Sequence, residues 1–382
     1  MTDVLVVTGE IPWPAHQGGL VRTAGLIEGL ATYVDVAVIA LTGTAEGGEP
    51  VPVLTGERGT LPGTSMSDIC SLSPRLGRMH WRPDVRRTFR RELRRHSPST
   101  VLYAQSYLAA AAPFVGRQAP RVIVDFQNIE VDRFRNFARQ GRPLNRASAT
   151  VEGLKARFWE PRLAGSVDVC LAIGEADART LSRWGAREVV VVPNAVHSPE
   201  GFDPSPHDGY VLYVASADYG PNRDAGRRLV DAIWPQVLAQ VPSAQLRIAG
   251  RRSIEVFGNG RLHDGVLVLG EVADLGPVMA AAAVVAAPVV AGAGKQLKVV
   301  NAVAAGRLVV ASPYSMLSVP SGLEALAVEA DTTSAFADSL VAALVDVPRR
   351  HRLELAGRQA ASRIPTWASA AKAIVEAAQI GR

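Results

Sequence analysis

The stretch that decides the fold runs Ala283-Val284-Val285-Ala286-Ala287, then Pro288-Val289-Val290-Ala291-Gly292-Ala293-Gly294-Lys295-Gln296, then Leu297-Lys298-Val299-Val300-Asn301-Ala302-Val303-Ala304-Ala305-Gly306. Its opening run is small and apolar and reads as a buried parallel strand. The glycines make a tight loop, and a helix is expected from Leu297 to a stop at Gly306. Strand, glycine loop and helix N-terminus together form an anion site, because free backbone N–H groups and the helix dipole converge there. Lys295 and Lys298 add positive charge. A phosphate-bearing ligand is one natural occupant; a tight turn with two solvated lysines accounts for the residues equally well. The loop is not a Walker A motif, which needs Gly at 289 and Ser or Thr at 296; the chain has Val289 and Gln296.

The same strand–loop–helix logic extends outward to both ends. Val4 to Thr8 is an apolar β-branched run, hence a buried first strand. A loop from Gly9 to Gly19 follows, then a helix with Leu20, Ala24, Ile27 and Ala31 on one face, then a strand from Val34 to Ala40. This opening argues a parallel sheet with a ligand at the strand C-termini. Residues 42–75 are rich in Gly, Pro, Thr and Ser and read as loops with one short strand at most. Strands are expected at Thr100–Ala104, Arg121–Phe126, Val167–Ile173 and Glu188–Val192. Between them lie helices at Tyr107–Val115, over a long polar region from Glu130 to Arg162, and at Ala176–Trp184. Residues 197–209, with three prolines, read as a linker. The alternation then restarts with a strand at Tyr210–Val214 and a helix at Asn222–Gln240. Further strands are expected at Gln245–Ala249, Val266–Leu269, Leu308–Ala311 and Leu326–Val328, with helices at about 333–345 and 349–362. A last amphipathic helix spans Trp367 to Ile380. The expected fold class is therefore α/β, as two doubly wound domains facing a cleft.

Composition agrees with a globular protein of two domains. The chain has 382 residues, 48% hydrophobic and 20% charged, too long for one ordinary core. The uncharged run from Leu275 to Gly294 carries Pro277 and Pro288, so a membrane-spanning helix is not expected there. The two cysteines, Cys70 and Cys170, sit among apolar neighbours in no metal-binding spacing, which fits a reducing compartment. Met1-Thr2-Asp3 leads directly into a strand, with no secretory signal, so a cytoplasmic location is expected. No metal site is expected, since no aspartate pair or Cys/His cluster is visible. The net charge of +5 is unevenly spread: Arg82, Arg86, Arg87, Arg90, Arg91, Arg94 and Arg95 share one segment. With Val85, Phe89 and Leu93 this is an amphipathic helix with a basic face. Helix 84–96 is read either as a peripheral contact with a membrane or anionic acceptor or as a solvated face. No aromatic interleaving supports nucleic-acid binding.

Five further loops carry polar groups at strand ends. Gly18-Gly19-Leu20-Val21-Arg22 opens a helix, where glycines admit a ligand close to the backbone. In Asp125-Phe126-Gln127-Asn128-Ile129-Glu130, Glu130 suits a base or a hydroxyl ligand. The same segment also reads as a helix start with Asn128 as N-cap. Asn194 lies at the domain junction, Ser216 and Asn222 flank a strand-to-helix loop, and Arg251 follows another strand.

In order and spacing these motifs resemble the family-4 glycosyltransferases of the GT-B fold, over nearly the whole chain. The resemblance implies two Rossmann-like domains: residues 1–196 on the acceptor side, joined by a crossover helix at 366–382, and residues 208–365 holding a nucleotide-sugar. It implies sugar transfer from that donor to a small-molecule, glycan or lipid-linked acceptor, usually with retention, without metal or cofactor. Gln127 and Glu130 are implied on the catalytic side. Gly18, Gly19, Arg22, Asn194, Ser216, Asn222, Arg251, Gly292, Gly294, Lys295, Lys298 and Asn301 are implied around the donor. Two positions depart from the family pattern. Relatives commonly carry Glu where this chain has Asn301, and often His where it has Gln127. A nucleotide-sugar epimerase and a non-catalytic nucleotide-binding or partner subunit are the alternatives.

Overall fold

The computed structural model describes residues 2–15, 18–43, 49–55, 71–112, 120–140, 143–196, 203–258, 260–261, 265–272, 274–292, 296–361 and 363–380. The chain divides into two compact units. Unit 1 holds Met1–Ala15, Gly19–Asn194 and Thr366–Arg382; unit 2 holds Ala195–Pro365 together with His16–Gly18.

Unit 1 is a seven-stranded sheet in the order β3-β2-β1-β4-β5-β6-β7. Its strands are β1 (Val4–Glu10), β2 (Val36–Thr42), β3 (Val53–Thr55), β4 (Thr100–Tyr103), β5 (Arg121–Phe126), β6 (Val169–Ala172) and β7 (Val189–Val191). All pairings are parallel, with Val4 opposite Val36 on one side and Thr100 on the other. The helices are α1 (Gly18–Ala31), α2 (Arg75–His80), α3 (Pro83–His96), α4 (Ser106–Ala111), α5 (Glu130–Gln140), α6 (Pro143–Ser166) and α7 (Glu175–Arg183). Side chains from α3, α4, α6 and α7, among them Val85, Phe89, Leu108, Trp159 and Leu181, share one core with the sheet. Those helices therefore cover one sheet face. With both faces covered, Val4 to Thr8 are completely buried, as the unbroken apolar run requires.

Unit 2 has a second seven-stranded sheet, ordered β10-β11-β9-β8-β12-β13-β14. The strands are β8 (Tyr210–Val214), β9 (Leu246–Ala249), β10 (Gly260–Arg261), β11 (Val266–Gly270), β12 (Ala282–Ala287), β13 (Leu308–Ala311) and β14 (Ala327–Glu329). Among the described residues only the short edge strand β10 is antiparallel. The helices are α8 (Gly220–Arg228), α9 (Trp234–Gln240), α10 (Ser253–Phe257), α11 (Gly276–Ala280), α12 (Leu297–Ala304), α13 (Pro313–Met316), α14 (Thr333–Val345) and α15 (Val347–Ala361). The last helix of the chain, α16 (Trp367–Ala377), belongs to unit 1. Its Trp367 lies in a groove on α1 made by Gly25 and Gly29, where any Cβ would overlap the indole or the Trp367 carbonyl.

Several elements depart from the sequence expectations. The helix expected over Tyr107–Val115 ends at Ala111. The polar helical region expected from Glu130 to Arg162 is formed by two helices, α5 and α6. The helix expected over Asn222–Gln240 is interrupted by a π turn at Leu229–Ile233, where the Trp234 N–H reaches the Leu229 carbonyl. Pro235 follows directly and has no N–H to continue an α-helical ladder. Residues 203–207 are no free linker: Ser205 is buried, its N–H donates to Glu354 at 3.0 Å, and its hydroxyl accepts from Arg350 at 2.8 Å. Residues 197–202 of the expected linker lie outside the described residues, as does Cys70. No helix among the described residues is long and apolar enough to cross a membrane.

Candidate functional site

In unit 2 the chain leaves β8 for β9 on one side and later returns to β12 on the other. Loops diverge at such a switch point and open a crevice at the strand C-termini. Four elements place side chains there. Asn222, in the first turn of α8, is fixed from two sides: its amide donates to the Ser216 carbonyl at 2.9 Å, and its own carbonyl accepts from the Tyr213 hydroxyl at 2.7 Å. Lys298, in the first turn of α12, donates to the Asn222 side-chain oxygen at 3.0 Å. Its ammonium also stands over the Tyr213 ring, 5.1 Å from the centroid. No carboxylate pairs with Lys298 among the described residues, and burial pushes its ammonium down to about 7. One turn along the same helix, the partly buried Asn301 side chain makes no hydrogen bond among the described residues.

Arg251 follows β9. Its Nε donates to Asp218 at 2.5 Å, and Arg252 reaches the same carboxylate at 3.2 Å. Burial raises the Asp218 carboxyl, but the two guanidiniums outweigh it and hold the group below the usual carboxylate range. Asp218 also accepts from the Ser216 hydroxyl at 3.2 Å, so Ser216, Asn222, Arg251 and Lys298 belong to one connected set. Gly250 has φ +143°, and a Cβ there would overlap the Ala215 carbonyl, so only glycine lets Arg251 start where it does. Gly292 lies between two phenols: a Cβ would sit 3.0 Å from the Tyr219 hydroxyl and 3.2 Å from that of Tyr314. Gly294 and Lys295 lie outside the described residues.

In unit 1 the corresponding switch point is between β1 and β4. Gly18 and Gly19 open α1. Gln127, just past β5, donates to the Ala104 carbonyl at 2.8 Å and to the Thr23 hydroxyl at 3.1 Å. Its oxygen faces Gly19, where a Cβ would come within 3.0 Å. Arg22, expected beside the donor, is engaged by other side chains of unit 1. Arg22 is buried and grips Asp125 with two bonds of 2.8 Å, while its third nitrogen holds Asn194 at 3.3 Å. The ion pair ties α1 to the end of β5, and the bond to Asn194 ties it to the end of the Gly19–Asn194 segment. Glu130 is likewise committed, to Arg133 at 2.8 and 3.0 Å. Burial raises its carboxyl and Arg133 opposes the rise. Nor does Asn128 cap α5. Glu160, from α6, accepts the Glu130 and Val131 N–H groups at 2.8 and 2.9 Å. Completely buried, its carboxyl is pushed up to about 8.

Sequence reasoning also passed over His80 and Tyr107. The His80 ring lies against Gly9 at the end of β1 and stacks on Tyr107 with centroids 6.3 Å apart. Burial pushes the imidazole down to about 4, so it is neutral near pH 7. Its Nδ1 is buried without a hydrogen-bond partner among the described residues. Nothing local in the sequence marks this histidine, since its neighbours are an arginine, a methionine and a tryptophan. Among the described residues no group of three or more metal-ligating side chains occurs.

Residues 208–346 match the family model of glycosyl transferases group 1. Among curated proteins, none matches this chain by sequence. Solved structures match over almost its full length. Sucrose-phosphate synthase from Thermosynechococcus elongatus superposes with a TM-score of 0.71 at 16% identity, covering 98% of both chains. Anabaena HepE in complex with UDP-glucose gives 0.64 at 16% identity, covering 98% of this chain and 99% of its own. A variant of Staphylococcus aureus TarM, in complex with fondaparinux, alpha-GlcNAc-glycerol and UDP, gives 0.68 at 8% identity, covering 99% and 100%. The two doubly wound α/β units are thus the fold of the GT-B glycosyltransferases, which the chain resembles.

Proposed function

We propose that the chain is a glycosyltransferase that moves a sugar from a nucleotide-sugar to a small-molecule, glycan or lipid-linked acceptor, with retention of configuration. Unit 2 takes the donor and unit 1 the acceptor. The observation that carries this reading is Lys298: a desolvated ammonium at a helix N-terminus, held by an amide and an aromatic face rather than by an acid. A bound diphosphate supplies the missing countercharge. As the bond from the sugar to the diphosphate breaks, negative charge grows on the leaving oxygen. Lys298 and the α12 N-terminus stabilise that charge in place, the type of contribution that dominates such reactions. Arg251 is aimed by Asp218 through Nε, which leaves its terminal nitrogens for phosphate oxygens. The reading needs no metal, since these groups supply the positive charge. Asn301, one turn on, reaches the ribose. HepE in complex with UDP-glucose makes a uridine nucleotide the first donor to try. The buried free thiol of Cys170 suits a reducing cytoplasm.

The direct test is a thermal-shift series with nucleosides, nucleoside diphosphates and nucleotide-sugars. A ligand at a hundredfold excess over its Kd stabilises the native state by about 2.7 kcal/mol. Diphosphates are expected to raise Tm well above the matching nucleosides; no shift with any diphosphate would end the reading. Turnover of the donor with and without acceptors then separates transfer from epimerisation. The non-catalytic reading keeps one specific observation in its favour, the commitment of Glu130 to Arg133. Tight donor binding with no turnover under any acceptor would establish it.

Three expected results follow from the donor side. Lys298→Ala should weaken nucleoside-diphosphate binding by roughly 1.5–3 kcal/mol, tenfold or more, while leaving nucleoside binding almost unchanged. The wild type should also show pH linkage. Near pH 8 the free protein holds Lys298 largely neutral, and a bound diphosphate favours its charged form. Binding must then take up a proton, and affinity must fall as pH rises above about 7. Calorimetry in buffers of different ionisation enthalpy reads that proton directly; none taken up would place the diphosphate elsewhere. Asn301→Glu should tighten diphosphate-nucleotide binding, because a carboxylate accepts from a ribose diol roughly twice as strongly as an amide. A clear calorimetric loss would mean that this chain holds ribose by other groups.

A further inference from the structure

Unit 1 carries an exposed surface that sugar transfer does not use. On α6 the side chains of Val151, Leu154 and Phe158 are 40%, 53% and 52% exposed. Spaced i, i+3, i+7, they form one line along the helix. The remaining large apolar residues of its C-terminal half, Trp159 and Leu163, point into the core. The charges on α6 are sorted in the same way. Its acids, Glu152 and Glu160, are buried, the first against Lys155 at 2.6 Å. Arg146, Arg157 and Arg162 stand in solvent. On the neighbouring α5 the exposed acid Asp132 is already bound to Arg135 at 2.6 Å.

Beside this apolar line opens a cavity of about 470 Å³, lined by Arg135, Arg157, Arg183, Pro161, Asp132 and Trp184 among others. Arg157 and Arg183 make no ion pair among the described residues, so the cavity presents two uncompensated guanidiniums. The arginine-rich helix α3 covers the same sheet face, as its Val85 and Phe89 share a core with Trp159. It adds Arg87, Arg90 and Arg94 on one line, each without an ion pair among the described residues. Because Val85 and Phe89 are buried, α3 offers charge alone; the apolar component is on α6.

An apolar line flanked by unpaired arginines, with the acids withdrawn, fits one partner chemistry: apolar chains beneath a layer of phosphates. A second copy of the chain would set these arginines against one another. A nucleic acid would leave Val151 and Leu154 against phosphate and water. We propose that this face docks on a bilayer containing anionic phospholipid. Leu154 and Phe158 enter the headgroup–acyl boundary, and a lipid phosphate occupies the cavity against Arg157 and Arg183. α3 adds its charge alongside. The inference rests on unit 1 alone and stands or falls independently of the sugar-transfer reading.

Flotation of the full chain with vesicles tests it. Phosphatidylcholine vesicles and vesicles of the same lipid with a third phosphatidylglycerol are compared at low and high salt. Binding is expected on the anionic vesicles, weakened by salt. Leu154→Ser/Phe158→Ser should reduce the partition coefficient roughly tenfold or more, and Arg157→Gln/Arg183→Gln should do so on anionic vesicles only. These side chains are exposed, so unchanged thermal melts of both variants serve as the folding control. The proposal is overturned by failure to float with anionic vesicles, by equal binding to neutral ones, or by binding that neither variant changes. A stable dimer that the Leu154/Phe158 variant dissociates would assign the face to a second copy instead.

Discussion

Replacing Arg22 with alanine should destabilise unit 1 by about 3–5 kcal/mol, the usual cost of removing one partner from a buried ion pair. Asp125 is completely buried, and both of its oxygens are held by this one guanidinium. After the substitution a carboxylate remains in a site without a countercharge, and it must either be desolvated unpaired or take up a proton. Asn194 loses its partner as well. Denaturant unfolding reads the loss as a lower midpoint. The double variant Arg22→Met/Asp125→Leu should recover much of it, because a well-packed apolar pair is often no worse than a buried salt bridge. If Arg22→Ala instead left stability intact and weakened donor binding selectively, Arg22 would act as a direct donor contact rather than as the support of Asp125 and Asn194.

Trp367→Ala should cost a similar amount, about 3–5 kcal/mol, the range for truncating a buried Trp to Ala. Trp367 is almost fully buried at the start of α16, and its indole fills the space left by Gly25 on α1. Truncation opens a cavity that two glycines cannot close. The converse substitution, Gly25→Ala, places a methyl inside the indole and should also destabilise, through overpacking. Thermal or denaturant unfolding distinguishes these outcomes from a loosely attached tail. A loss under about 1 kcal/mol for Trp367→Ala would show that α16 contributes little packing. The helix touched here is the one that Gly18 and Gly19 open, so loosening it should also disturb that loop.

Much of the architecture was legible along the chain because it depends on local pattern. Unbroken apolar runs such as Val4–Val7 and Ala282–Ala287 are best satisfied by strands covered on both faces. Their alternation with amphipathic helices leaves few topologies other than doubly wound sheets. The glycine loop before α12 and the basic periodicity of α3 were likewise written in spacing alone.

What the tertiary structure alone decided is which groups face one another. Arg22 and Asp125 are 103 residues apart, and nothing in either segment names the other. Glu160 reads as an ordinary helical glutamate, yet the packing of α6 on α5 makes it the cap of a helix that starts thirty residues earlier. His80 has no local signal, and only the return of α2 to the end of β1 brings it beside Gly9 and Tyr107. The sequence placed Lys298 at a helix start, but its lowered proton affinity comes from burial beside Asn222 and Tyr213. Periodicity reports that a face must be buried or that a charge must be solvated. It carries no information about the partner, because the energies of buried charges depend on distances that only the folded chain fixes.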